Sequence, residues 1–460
     1  AAFTTEGDLT LKTDAAIALT GHNVQGDLSV TSAGAISQSA ALTVSGTSSF
    51  TSTGSNNNIT LSTNSNAFTG AVSAYTTGSS GDITIDNGTT ALNIGASTIG
   101  GNLTATAGDS ITDSGVITVG GTASFTTDTT DKLITLNSQN AVTGQLTFST
   151  IGTGGDVTFD NGTTAISLGT ISSGDIGGDL TLQTDAATTI SNAITMNGSG
   201  AALSLTVDGG KSLNVQAALT TNAGGITLSA DDDVIFTAAG DLSSANGNIS
   251  VTADDDATSD ATTGGALTMV DGTVFNAGSG TISGIADENI TLGQMTTTNA
   301  TSSAITLNTA NGNILDGDTS GANDLTAASG TVSVTTGGGT FGTTANAIEV
   351  SSASLSTTGL PVATPTSEEI LTGSTETVGE ASVDQTINIV ENLVKSIDKK
   401  IQKSVGGSSK TVALGVGSGP LLVDLFAEKY ELVNTEGFGE ELTPAVEQLN
   451  DFWFSEGEEN

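Results

Sequence analysis

The chain has 460 residues, a formal net charge of −40, 3% aromatic residues and no cysteine, and all nine of its basic residues are lysines. That excess of carboxylates disfavours binding to nucleic-acid phosphates, and the lack of cysteine excludes a disulfide scaffold or a thiolate metal site. No run of 18 apolar residues occurs, so no helix is expected to span a membrane.

The opening residues, Ala1-Ala2-Phe3-Thr4-Thr5, read as the middle of a repeat, with no secretory signal. A short word then begins at Gly7-Asp8-Leu9-Thr10-Leu11. It returns at Gly26-Asp27-Leu28-Ser29-Val30, Gly101-Asn102-Leu103-Thr104 and Gly178-Asp179-Leu180-Thr181-Leu182. Relatives of it stand at Gly225-Ile226-Thr227-Leu228, Gly247-Asn248-Ile249-Ser250-Val251 and Glu288-Asn289-Ile290-Thr291-Leu292. Apolar and hydroxyl residues alternate in each, the period of a strand with one buried face. Each word is introduced by Gly, Asn or Asp, which accept the backbone angles of a tight turn. Strands of three to five residues are expected, with new words about every 20 residues. The only histidine, His22, lies in the turn Thr20-Gly21-His22-Asn23 and is expected at the surface.

Between Gly46 and Leu180 a longer unit is written twice, with an offset of 74 to 77 residues. Phe50 answers to Phe125, Ile59-Thr60-Leu61 to Ile134-Thr135-Leu136, and Asp86-Asn87-Gly88-Thr89-Thr90-Ala91 to Asp160-Asn161-Gly162-Thr163-Thr164-Ala165. A fixed period of this kind marks a solenoid. Short strands, immediate turns and few aromatics fit an all-β solenoid, a parallel β-helix with apolar ladders inside and Thr, Ser, Asn and Asp ladders outside. At about 4.8 Å per turn, roughly 14 to 18 turns would make a rod on the order of 65 to 90 Å long. The long unit is expected to span three or four turns, with Phe50 and Phe125 in one recurrent wide corner. Asn58, Asn87, Asn102 and Asn161 head Asn-x-Ser/Thr triplets of the kind that accept glycans.

From Ala201 to Gly359 the pattern continues more loosely. Two acidic turns, Asp231-Asp232-Asp233 and Asp254-Asp255-Asp256, each follow a strand word. Clustered carboxylates suit calcium, which takes six to eight oxygens. The plainer reading is two solvated turns, since the glycine-rich nonapeptide of calcium-binding β-helices is absent. No other cofactor is expected. Gly240-Asp241-Leu242 with Asn248-Ile249-Ser250-Val251, the stretch Asp271 to Ile282, and Asn346-Ala347-Ile348-Glu349-Val350 resemble the repeat regions of filamentous-haemagglutinin-like proteins, large bacterial exoproteins and adhesins of the two-partner-secretion type. The resemblance covers roughly residues 7 to 360. It implies a right-handed β-helix, an extracellular location and a role in adhesion or matrix. The family's amino-terminal secretion domain has no counterpart in this sequence.

Composition changes at Pro361. Residues 1–360 hold 28 Asp and 3 Glu, whereas residues 361–460 hold 4 Asp and 14 Glu. Three regions are expected: a β-helix over 1–360, a linker over 361–381 and a mainly helical segment over 382–460. Ser382 and Gln385 form a capping box. Val383, Ile387, Val390, Val394, Ile397 and Ile401 then make one apolar seam. Phe452, Trp453 and Phe454 gather near the end of the sequence. The seam and these aromatics are the candidate capping or assembly residues, because a solenoid needs its terminal edges covered.

Catalysis is not expected. Residues 1–360 hold only Lys12, Lys132 and Lys211 as bases beside one histidine, and no Ser-His-Asp set, phosphate loop or zinc spacing occurs. With 28 aspartates, close carboxylate pairs carry little information. Two non-enzymatic readings remain. One is a surface or biofilm-matrix rod that attaches to a glycan or protein receptor. The other is a subunit that self-associates end to end into an extracellular filament.

Overall fold

The computed structural model describes residues 4–62, 66–254, 265–318, 321–343 and 345–360. Those residues form an all-β parallel solenoid of about 15 turns, within the expected range. Pairing runs from each turn to the next in parallel register. The expected linker and helical segment, with Val383 to Ile401 and Phe452 to Phe454, lie outside the described residues.

Each turn contributes strands to three faces. One face is traced by Ile59–Leu61, Ile83–Asp86, Leu103–Ala107, Ala123–Thr130 and Leu146–Ile151, each paired with the next. Another runs from Leu180–Thr184 through Leu203–Val207, Ile226–Ala230, Ile249–Ala253 and Ile282–Ala286 to Ile305–Thr309. The register Leu180↔Leu203↔Ile226↔Ile249 advances 23 residues per turn. The next step, Ile249 to Ile282, takes 33. Strands are more varied than the three to five residues expected: Ser48–Ser55 has 8 and Leu325–Thr336 has 12.

The alternation of the sequence words decides what points inward. In Ile83–Asp86 the burial pattern is strictly buried, half-buried, buried, half-buried. Stacked apolar positions fill a narrow interior, and large residues are offset by small ones. Along one inward row the order is Leu61, Ile85, Ala105, Phe125, Phe148. Phe125, Phe148 and Phe159 meet with ring centroids 5.6 to 6.4 Å apart.

The two copies of the long unit are not stacked in phase. Ile59–Leu61 of the first copy and Ala123–Thr130 of the second lie on the same face. Yet Ala123–Thr130 is the counterpart of Ser48–Ser55, which pairs along a different face with Leu28–Ser32 and Val72–Thr77. The unit therefore spans three turns plus one face, and its second copy is rotated by one side of the tube. Phe50 and Phe125 are both fully buried but stand on different faces, not in one recurrent corner. Phe50 meets Phe68 edge-on at 5.9 Å, a packing the second copy does not repeat.

His22 also departs from expectation. It is 7% exposed, and burial holds its pKa below the ordinary value.

Candidate functional site: corner ladders and a carboxylate cluster

The repeated Gly-Asp/Asn word has a structural function. The Asx side-chain oxygen accepts the backbone N–H of the matching residue one turn later. Asp8 Oδ1 accepts from Asp27 at 2.9 Å, and Asp27 Oδ1 from Thr47 at 2.7 Å. Asp82 Oδ1 accepts from Asn102 and Asn102 Oδ1 from Thr122, both at 2.8 Å. The same bond joins Asp156 to Asp179, Asp179 to Ala202, Asn289 to Asn313 and Asn313 to Thr340. At these corners the strand ladder lapses, and the side chain satisfies an amide that would otherwise lack a partner.

The glycine of the word is required by space rather than by a special backbone angle. A Cβ on Gly26, Gly101, Gly121 or Gly178 would collide with the Asx oxygen of the turn before: Asp8, Asp82, Asn102 or Asp156 respectively. Gly7 has no such neighbour, and a Cβ there meets nothing within 4 Å. Gly121→Ala is expected to lower stability by about 1–3 kcal/mol through overpacking, whereas Gly7→Ala should be close to neutral. Chemical denaturation of the two variants side by side checks this.

The Asp-Asn-Gly-Thr-Thr corner is built alike in both copies. Asp86 Oδ1 and Asp160 Oδ1 accept from Gly88 N and Gly162 N at 2.8 Å. Gly88 and Gly162 have φ of 58° and 51°, where glycine is strongly favoured. Asn87 and Asn161 are fully buried and turn inward. Asn161 Oδ1 accepts from Val142 N at 2.8 Å, while its Nδ2 donates to Val142 O at 3.1 Å and Ala165 O at 3.0 Å. Asn87 makes the same set with Phe68 and Ala91. An amide thus replaces a strand residue for one turn. Burial also removes Asn87 and Asn161 as glycan acceptors in the folded chain.

Carboxylates collect along one corner. Asp185, Asp208, Asp231, Asp254 and Asp287 each directly follow a strand of one continuous face. Burial first, then the charges of Asp185, Asp113 and Asp208, hold the Asp160 carboxyl above its ordinary range. Within the expected calcium turns the side chains are used separately. Asp231 Oδ2 accepts from Gly210 N at 3.2 Å and Asp232 Oδ2 from the Ser212 hydroxyl at 2.6 Å. Asp233 Oδ1 accepts from Gly265 N and Ala266 N at 3.1 and 2.9 Å. Asp254 N donates to Asp232 O at 3.3 Å, which places the two turns in successive layers. Asp255 and Asp256 lie outside the described residues.

Among the described residues the tightest carboxylate group lies elsewhere. One oxygen from each of Asp316, Asp318 and Asp324 falls within 4.8 Å of the others. Asp316 ends the strand Ile314–Asp316, Asp318 follows it, and Asp324 precedes Leu325–Thr336. Asp316 Oδ1 accepts from Asp318 N at 2.7 Å. Asn346, one turn later, donates to Asp318 O at 2.6 Å and Asp316 O at 3.3 Å, bracing the loop. Asp324 is fully buried. Its Oδ2 makes the corner bond, accepting from Glu349 N at 2.9 Å, while Oδ1 is enclosed without a hydrogen-bond partner. Glu349 Oε2 is enclosed in the same way. Burial, then the charges of Asp316, Glu349 and Asp318, push the Asp324 carboxyl up to about 7. Sequence reasoning missed this group. The available signals were the Asp316-Gly317-Asp318 step and Glu349, one of only three glutamates before Pro361.

The family model described as "Repeats of unknown function (DUF5649)" matches residues 6–75 and 80–149. The two matches begin 74 residues apart, the period of the long unit. No curated protein and no solved structure matches the chain. The chain is a β-solenoid repeat protein, and its residues 6–75 and 80–149 are similar to these repeats.

Proposed function

We propose that the chain is a non-catalytic, extracellular bacterial solenoid that attaches a cell to a surface or matrix through its outer polar ladders. The observation that carries this reading is one unbroken hydroxyl row. Thr181, Ser204, Thr227, Ser250, Ser283, Thr306, Ser333 and Ser356 stand in register on successive turns. Their spacing is that of stacked strands, about 4.8 Å, and such a row offers repeated donors and acceptors to a glycan or a protein surface. The resemblance of residues 7 to 360 to haemagglutinin-like repeats supports the same reading. Beads coated with the chain should be retained on glycan- or cell-coated surfaces, and replacing Thr181, Thr227 and Thr306 by glutamate should release them. Retention no greater than that of albumin-coated beads would sink the proposal.

A second reading, end-to-end assembly, draws on a different observation. Val350–Thr358 pairs with Leu325–Thr336, and among the described residues no strand pairs with its other edge. An edge of that kind templates further pairing. Filaments in negative-stain micrographs of the purified chain would favour this reading over isolated short particles.

A further inference from the structure

We propose that Asp316, Asp318, Asp324 and Glu349 form a calcium site between successive turns of the solenoid. The cluster is more than a patch of surface acid. Three carboxylates present oxygens within 4.8 Å of one another, a spacing that one cation of this size can bridge. Asp324 is fully buried, and its Oδ1 has no hydrogen-bond donor. Glu349 stands outside that triad of close oxygens but bonds to Asp324 through its N–H, and it has a second enclosed, donor-free oxygen, Oε2. Buried carboxylates of this kind are normally paired or bound to metal. The ion pair among the described residues, Lys132 with Asp109, lies away from the cluster.

The ligand chemistry selects the ion. Every side-chain donor is a carboxylate oxygen, which suits a hard cation and not a soft one. The donors come from a loop and from the next turn, not from a preformed octahedron. That arrangement favours calcium, with its irregular shell of six to eight oxygens, over magnesium, which demands near-ideal geometry. The ligands also span two layers of the stack. Asp316, Asp318 and Asp324 belong to one stretch, and Glu349 arrives 25 residues after Asp324. Binding would therefore fasten the turn that begins at Val350 to the turn beneath it.

The test uses the whole chain, stripped with a chelator and dialysed against calcium in excess magnesium, with bound metal counted by atomic absorption. Wild type should retain one more saturable calcium than Asp324→Asn, and at least tenfold weaker affinity is expected for Glu349→Gln. Asp208→Asn, from the acidic corner outside the cluster, should bind as wild type does. Far-UV circular dichroism checks that each variant keeps its strands, and Glu349→Gln carries the test if Asp324→Asn does not fold. Equal calcium uptake by wild type and Glu349→Gln would overturn the proposal, and so would displacement of the calcium by an equal concentration of magnesium. The adhesion assay is independent of both outcomes.

Discussion

Asn161→Ala is expected to cost about 3–6 kcal/mol, because two or three buried backbone groups lose their partners at about 1–3 kcal/mol each. The side chain closes a gap in the ladder: Val142 N, Val142 O and Ala165 O all bond to it. Alanine leaves these groups dry and unpaired, and the site is too enclosed for water to replace the amide without rearrangement. Asn161→Asp should be at least as damaging. The carboxylate keeps the acceptor for Val142 N, but it cannot donate to the two carbonyls, and it would bring a charge into a fully buried position. In a solenoid the loss is local, since each turn contacts its neighbours. Amide hydrogen exchange should therefore show lost protection across residues 140–165, with the turns beyond Leu203 unaffected. Asn87→Ala should repeat the effect around Phe68 and Ala91, because the bonding is the same. Unchanged protection in both variants would show that the inward amides do not hold the corner.

Stability near the last described turns should fall as pH rises from about 4 to about 7 in the absence of divalent cations. The Asp324 carboxyl is raised to about 7 from its ordinary value of 3.8, first by burial and then by its acidic neighbours. It binds its proton more tightly in the folded chain than in the unfolded one. Its stabilising contribution is complete below about pH 4 and is lost as pH approaches 7, with a ceiling of about 4 kcal/mol. His22 and Asp160, whose pKa values also shift on folding, are common to wild type and variant, so comparison with Asp324→Asn isolates this group. Asp324→Asn keeps the acceptor for Glu349 N and removes the charge. With chelator present it should exceed wild type in stability at pH 8, and the gap should narrow by roughly half or more at pH 5. Exchange protection of the Leu325 and Glu349 amides, corrected for intrinsic rates, is the local measure. A gap that does not change with pH would mean that Asp324 is not the titrating group.

The strand words, and the face each of their residues takes, are legible in the amino-acid order alone. Alternating apolar and hydroxyl residues have only one way to bury a face in a strand, so Ile59-Thr60-Leu61 and Leu180-Thr181-Leu182 could be assigned inward and outward without coordinates. The solenoid class and the approximate number of turns follow from the same words, because repeated short strands bury their apolar faces only by stacking. The tertiary structure decided what depends on phase between turns. A unit of about 75 residues is not a whole number of turns of about 23, so its second copy moves to the next face, which no comparison of the copies could disclose. Likewise Gly121 is glycine because Asn102 of the turn below occupies its Cβ space, and His22 is buried although its turn is polar. Asp324 and Glu349 are 25 residues apart along the chain, and only the stacking of turns makes them neighbours. Side-chain alternation is local and therefore readable, whereas contacts between turns depend on the accumulated length of every loop, and a change of one residue in any corner resets them.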